Sequence, residues 1–150
     1  MAEFEKSSVI KASPERLFEF LLNMENMAKI SPPDTEILEL NAPNPITANA
    51  EFDLRLKRGP FRLSWRGRVL TLEPPRLMVD EQVRGPFRRF QHTHQFREIG
   101  AHTLVIDRIE YEPFLGPLGA PLDVLFIRPL LKRMFDYRHR RLKELFESGS

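Results

Sequence analysis

The sequence predicts an α+β fold in which one curved antiparallel sheet of seven strands wraps a long C-terminal helix. Three observations carry this. Apolar residues recur at helical spacing near the two ends of the chain, between Ser13 and Ile30 and again from Leu122 to Phe146. Between Thr35 and Glu112 the period falls to two, the mark of strands with one buried face. Strands and helices are therefore segregated, which argues against a parallel sheet with alternating helices. The short loops between strands favour a meander of antiparallel neighbours.

The first strand runs from Phe4 to Lys11. Ser13-Pro14-Glu15 then opens a helix. The Ser13 hydroxyl can accept from free backbone N–H groups, Pro14 fits the first helical position, and Glu15 suits the positive end of the dipole. Leu17, Phe18, Leu21 and Leu22 form its apolar face. A second short helix is expected from Met24 to Ile30, stopped by Pro32-Pro33. Glu36 to Leu40 is the second strand, followed by a loop rich in Asn and Pro. Phe52, Leu54 and Leu56 alternate with charged residues in the third, and Leu63, Trp65, Gly67 and Val69 alternate with polar ones in the fourth. Leu77 to Arg84, Arg89 to Ile99 and His102 to Glu112 complete the seven. The last helix carries Ile127, Leu130, Leu131, Met134, Phe135, Leu142, Leu145 and Phe146 on one side. Pro129 lacks the N–H an α-helix needs, so a kink or break is expected there. One domain over residues 1–147 is expected, with Ser148-Gly149-Ser150 a flexible tail.

Twelve Phe stand against two Tyr and one Trp, so an apolar interior can be lined without extra hydrogen-bond demands. The net charge is only +2, with acids mixed among the arginines, unlike the basic stripe of a nucleic-acid binder. Arg138-His139-Arg140-Arg141, with Lys132, Arg133 and Lys143, is diluted by Asp136 and Glu144 and reads as a solvated helix face. The absence of cysteine excludes disulfides and thiolate chemistry and fits a cytoplasmic location. Charges at Glu3, Glu5, Lys6, Lys11, Glu15 and Arg16 are unlike a secretory signal. The most apolar stretch, Phe114 to Leu131, is interrupted by Asp123, Arg128 and several Gly and Pro, so no membrane span is expected. No nucleophile elbow, phosphate loop or dinucleotide fingerprint is present, and no cofactor is expected.

A bent sheet facing one amphipathic helix encloses a pocket where neither surface fills it. This helix-grip arrangement, with Ile10-Lys11-Ala12-Ser13-Pro14-Glu15 opening the first helix, resembles the START/Bet v 1-like (SRPBCC) superfamily. More narrowly it resembles the bacterial, polyketide cyclase-like ligand-binding branch of unknown function. Also matching are Trp65, Val79-Asp80-Glu81-Gln82 with Gly85-Pro86-Phe87, His92-Thr93-His94-Gln95-Phe96, Thr103 to Asp107, and Met134-Phe135-Asp136-Tyr137-Arg138. The resemblance covers nearly the whole chain. It implies binding or transport of a small, mainly hydrophobic ligand in an internal cavity. A cyclase or dehydratase acting on a polyketide-like substrate, and an accessory interaction domain with a vestigial cavity, are the alternatives, since one fold hosts many functions. The edge strands and the mouth of the cavity offer surfaces for a homodimer.

Arg58-Gly59-Pro60-Phe61-Arg62 and Arg84-Gly85-Pro86-Phe87-Arg88 repeat the same five residues between strands, which reads as one turn used twice. Alternate turns of a meander share an end, and the connection from Phe114 leaves from that end too. Phe61, Phe87 and Phe114 are therefore expected around the cavity mouth, as similar loops are in the resembled fold; packing under their own turns is the other reading.

Alternation in the sixth strand puts Phe90, His92, His94 and Phe96 on the inner face. In the seventh, Asp107, Ile109 and Tyr111 share the inner face. In the fifth, alternation leaves the facing open, and the resemblance favours Asp80 and Gln82 inward. Two His and one or two Asp thus gather on the concave side, where unpaired polar groups are costly and Asp–His pairing would satisfy them. Four roles fit: a self-satisfied network, an anchor for the polar end of a ligand, general acid–base catalysis, and a metal site. The last has His-x-His and a carboxylate but needs a further ligand, and no metal is expected. Trp65 and Met134 complete the expected ligand contacts, with core packing the simpler role for Trp65 and Tyr111.

Overall fold

Strand β7 (His102–Glu112) ties the N-terminal strand to the rest of the sheet. It pairs with β6 (Arg89–Ile99) on one side and with β1 (Ala2–Ile10) on the other. The computed structural model describes residues 2–114 and 119–147. Most of the expected connection after Phe114, and the expected tail, lie outside the described residues. The remaining strands are β2 (Thr35–Asn41), β3 (Glu51–Arg58), β4 (Phe61–Glu73) and β5 (Leu77–Arg84). All seven form one antiparallel sheet in the order β1-β7-β6-β5-β4-β3-β2, so β2 to β7 are the expected meander.

Helix α1 (Pro14–Leu22) starts as its sequence dictates, the Ser13 Oγ accepting from the Arg16 N–H at 3.3 Å. It buries Leu17 and Phe18, and the Phe18 ring meets Phe96 edge-on at 5.7 Å between centroids. The second short helix is a 3₁₀ segment, Met24–Ile30. Register shifts in β2, between Ile37 and Glu39, and at two places in the pairing of β4 with β5 bend the sheet. At the bend in β4, Gly67 faces Phe52, and a Cβ on Gly67 would sit 2.2 Å from the Phe52 ring. Only glycine lets that ring cross the strand and reach the interior.

The last helix runs through Pro129 rather than breaking there. It begins as α2 (Gly119–Leu122), passes through one π-helical turn (Asp123–Ile127), and continues as α3 (Arg128–Glu147). The Arg128 N–H donates to the Asp123 carbonyl, five residues back. That wider turn supplies the room a proline ring needs against the carbonyl four residues before it. Among the described residues, no helix is long and apolar enough to cross a membrane.

The repeated pentapeptide does not make one turn twice. Arg58 pairs directly with Phe61, so Gly59-Pro60 is a two-residue turn with Gly59 at φ +57°. The second copy leaves residues 85–88 outside the strands. There the Gln82 amide donates to the Phe87 carbonyl at 2.7 Å and accepts from the Phe87 N–H at 3.1 Å, and the Arg88 N–H donates to the Glu112 carbonyl at 2.8 Å. Tertiary partners decide the difference.

Two apolar clusters fill the space between sheet and helices. One holds Ile10, Phe18, Phe96, Val105 and Leu142; the other holds Phe4, Ile109, Tyr111, Leu131 and Phe135. Along β1, β7 and α3 a polar residue stands between them: Ser8, Asp107 and His139. A polar layer thus crosses the core.

Candidate functional site

A cavity of about 150 Å³ opens between the concave side of the sheet and the segment formed by α1 and the 3₁₀ helix. Phe20, Leu21, Met24, Met27 and Ile30 form one wall. Phe52, Leu54, Trp65, Val69, Met78 and Phe90 form the other, and Asp80, His92, His94 and Arg138 bring charge and hydrogen-bonding capacity to it.

These polar groups are tied to the layer behind them. The His92 Nε2–H donates to Asp107 Oδ1 at 2.7 Å, and the His94 Nε2–H donates to Asp80 Oδ2 at 2.9 Å. His94 Nδ1 lies 3.4 Å from the same Asp107 oxygen. The second oxygen of Asp107 accepts from His139 Nε2 at 2.6 Å, and the Ser8 hydroxyl meets His139 Nδ1 at 2.5 Å. The imidazoles of His92 and His94 are stacked, 3.6 Å between centroids. Asp107 is only 4% exposed, yet it serves three histidines.

The environments push the two stacked rings apart. Burial, and then the charge of His94, lower the pKa of His92, and its bond to Asp107 only partly offsets this. Burial also works against protonated His94, but Asp107 and Asp80 outweigh it and raise the group to about 9. At neutral pH the pair is therefore one neutral and one protonated imidazole. Burial opposes the charge of Asp107, but the bonds from His139, His92 and His94 hold it well below the usual carboxylate range.

Of the expected ligand contacts, Trp65, Asp80, Phe90, His92 and His94 line the cavity. Gln82, Phe96, Asp107, Tyr111 and Met134 do not, each for a visible reason. Gln82 is spent on the turn at Phe87, and Phe96 packs on Phe18. Asp107 stands behind the histidines. Tyr111 is fully buried and donates to the Asp123 carboxylate, while Met134 packs against the second apolar cluster. Of the three phenylalanines expected at the mouth, none lines the cavity. Phe61 and Phe114 are exposed, and Phe87 meets Trp65 and Tyr111 edge-on and Phe90 at a tilt.

Two functional candidates escape the reading of the helix as a solvated basic face. His139 is 2% exposed, and Arg138 lines the cavity with its guanidinium 4.8 Å from the centre of the Phe135 ring. The spacing of Leu131, Phe135, His139 and Leu142 on one helical stripe is the signal that finds His139.

Ser8, His139 and Asp107 are linked in the order of a hydrolytic triad. Ser8, however, lies within β1 opposite Val105 and does not line the cavity, so this chain of bonds serves the polar layer. Asp80, His92 and His94 each offer one donor atom within 4.8 Å of the others, a set that could hold a metal ion. Here the bonding nitrogens are engaged with carboxylates and the rings stack instead of converging.

The family described as polyketide cyclase / dehydrase and lipid transport matches residues 1–147. A search of curated proteins gives no match. Among solved structures, the protein TTHA0849 of Thermus thermophilus is 19% identical, with a TM-score of 0.79 over 99% of both chains. The di-domain ARO/CYC StfQ of the steffimycin biosynthetic pathway is 14% identical, with a TM-score of 0.76; 98% of this chain covers 51% of that one. Ara h 8.0201 is 9% identical, with a TM-score of 0.74 over 98% of both chains. At such identities these likenesses speak for the fold.

Proposed function

The chain belongs to the polyketide cyclase / dehydrase and lipid transport family, within the SRPBCC/Bet v 1-like superfamily, and from that premise we propose that it binds a small, mainly apolar ligand non-covalently in its internal cavity. One observation supports this above the others: a largely apolar cavity carries its charged and titratable groups together, which is how ligand pockets fix orientation. Trp65 and Phe90 would supply contact area, and Asp80, His92 and His94 would orient a polar end.

The size narrows the ligand. A water molecule occupies roughly 30 Å³ and an apolar cavity near 150 Å³ holds one benzene-sized ring, so the ligand is one ring or a short chain. Micromolar binding needs about 8 kcal/mol, or roughly 0.8 kcal/mol per atom for a ten-atom ligand, within the bound for small ligands. The volume also exceeds a single water several times, which weighs against a vestigial cavity.

Trp65 is the sole tryptophan and lines the cavity, so its fluorescence reports occupancy. Ring-sized apolar compounds are expected to change its emission saturably, and Val69→Phe, which fills the cavity, is expected to abolish that change while the protein stays folded. Saturable binding that survives Val69→Phe unaltered would place the ligand elsewhere.

The oppositely shifted imidazoles favour a second reading, since such pairs divide acid and base roles. His92 as base and His94 as acid would then act on a polyketide-like substrate in a cyclase or dehydratase reaction. Turnover with a bell-shaped pH dependence, lost in His92→Gln while binding persists, is the expected result. Turnover unchanged in that variant would remove the assignment.

A further inference from the structure

Arg138 is the charged residue of the cavity wall that forms no hydrogen bond or ion pair with any described residue. The other three are engaged. Asp80 takes His94, and both histidines turn N–H groups to carboxylates. Asp107, behind them, is shared by His92, His139 and the nearby Nδ1 of His94. The two aspartates are close enough to act on the Arg138 charge, but their oxygens are bonded elsewhere. Burial works against that charge, and the Phe135 ring supports it on one side.

A guanidinium offers five N–H donors in a rigid planar fork, and its matching partner is a planar carboxylate that takes two of them at once. The aspartates do not repel such a group strongly, because one is paired with protonated His94 and the other is screened by its three histidines. The rest of the wall is Phe, Leu, Met, Ile, Val and Trp with two amides, Asn23 and Asn26, which bond to the backbone at Glu25 and Phe20; it suits an apolar body and holds no further charge.

We propose that the cavity selects a small monocarboxylic acid with one ring or a short chain, its carboxylate held by Arg138 and its body against the apolar walls. This rests on the ligand-binding reading above and names the class of ligand.

The test compares benzoate with benzamide, which has the same shape and no charge, by titration of Trp65 fluorescence at neutral pH. Benzoate is expected to bind about tenfold or more tightly than benzamide, as charge-assisted bonds exceed neutral ones. Arg138→Met should erase that preference while leaving benzamide affinity within about threefold, and Arg138→Lys, which keeps the charge without the fork, should fall between. The wild-type comparison needs no variant to fold. No preference for benzoate, or the same preference in Arg138→Met, overturns the proposal while leaving the cavity as a ligand site. If neither compound binds but neutral ring-sized compounds do, the carboxylate class is again overturned. If no ring-sized compound of either kind moves Trp65 emission, the ligand-binding reading falls with it.

Discussion

Asp107→Asn is expected to destabilise the fold by about 3–5 kcal/mol, the cost of removing one partner from a buried, hydrogen-bonded charge cluster. The carboxylate accepts from His92 and His139 at 2.7 and 2.6 Å and faces His94 at 3.4 Å. Asn keeps one acceptor oxygen but turns the other position into an NH₂ donor, which must face an imidazole N–H. It also leaves protonated His94 with Asp80 alone. The polar layer lies between two apolar clusters, so water cannot readily replace the lost acceptor. Urea denaturation of the variant measures the loss. Asp136→Asn, at an ion pair with Lys6 and Lys132 on the surface, is the control and should cost less than about 1 kcal/mol. Similar losses in the two variants would show that Asp107 is not the hub of the core.

Stability should peak near pH 6.5 and fall on both sides. His94 in the folded state holds its proton up to about 9, above its ordinary 6.5. A raised base contributes stability that is complete below the unfolded value and is lost as pH rises through the folded one. The alkaline limb therefore spans about 6.5 to 9 and is worth about 3 kcal/mol, since each pKa unit is roughly 1.4 kcal/mol. On the acid side the sign reverses. His92 is lowered, so below pH 6.5 the unfolded chain takes up that proton first and stability declines. Asp107, held well below 3.8, adds a further loss as pH falls past its ordinary value. Denaturation midpoints across pH 5 to 9.5 test both limbs, with macroscopic steps belonging to the coupled pair. In His94→Gln the alkaline limb should flatten; an unchanged slope would assign it to another group.

Much of this is legible in the sequence, and the exceptions have one cause. The strands and the first helix are local statements: alternation over β6 and β7 puts His92, His94 and Asp107 on the inner face, and Ser13-Pro14 starts α1 where it should. Arg138 and His139 read as surface because charged residues are seldom buried without partners, and the partner of His139, Asp107, lies far away in sequence. The second Arg-Gly-Pro-Phe-Arg segment diverges from the first for the same reason: Gln82 and Glu112 hold it, and Phe87 finds an aromatic cluster. Periodicity tells which way a residue faces. It does not tell what meets it there.

The π turn before Pro129 changes the phase of the last helix. An α-helix advances about 100° per residue, so eight residues would leave Asp123 about 80° round the barrel of the helix from Leu131. The wider turn winds less per residue and takes up much of that angle, so Asp123 and Leu131 are both buried, Asp123 against Tyr111. The last helix is thus two rods in series, joined by a splice that sets their rotation independently. The splice itself is keyed to the end of β7 through Asp123 and Tyr111, and the second rod carries Arg138 and His139. A change in the length of chain leading into the first rod therefore stops at that anchored splice and leaves the cavity wall unturned.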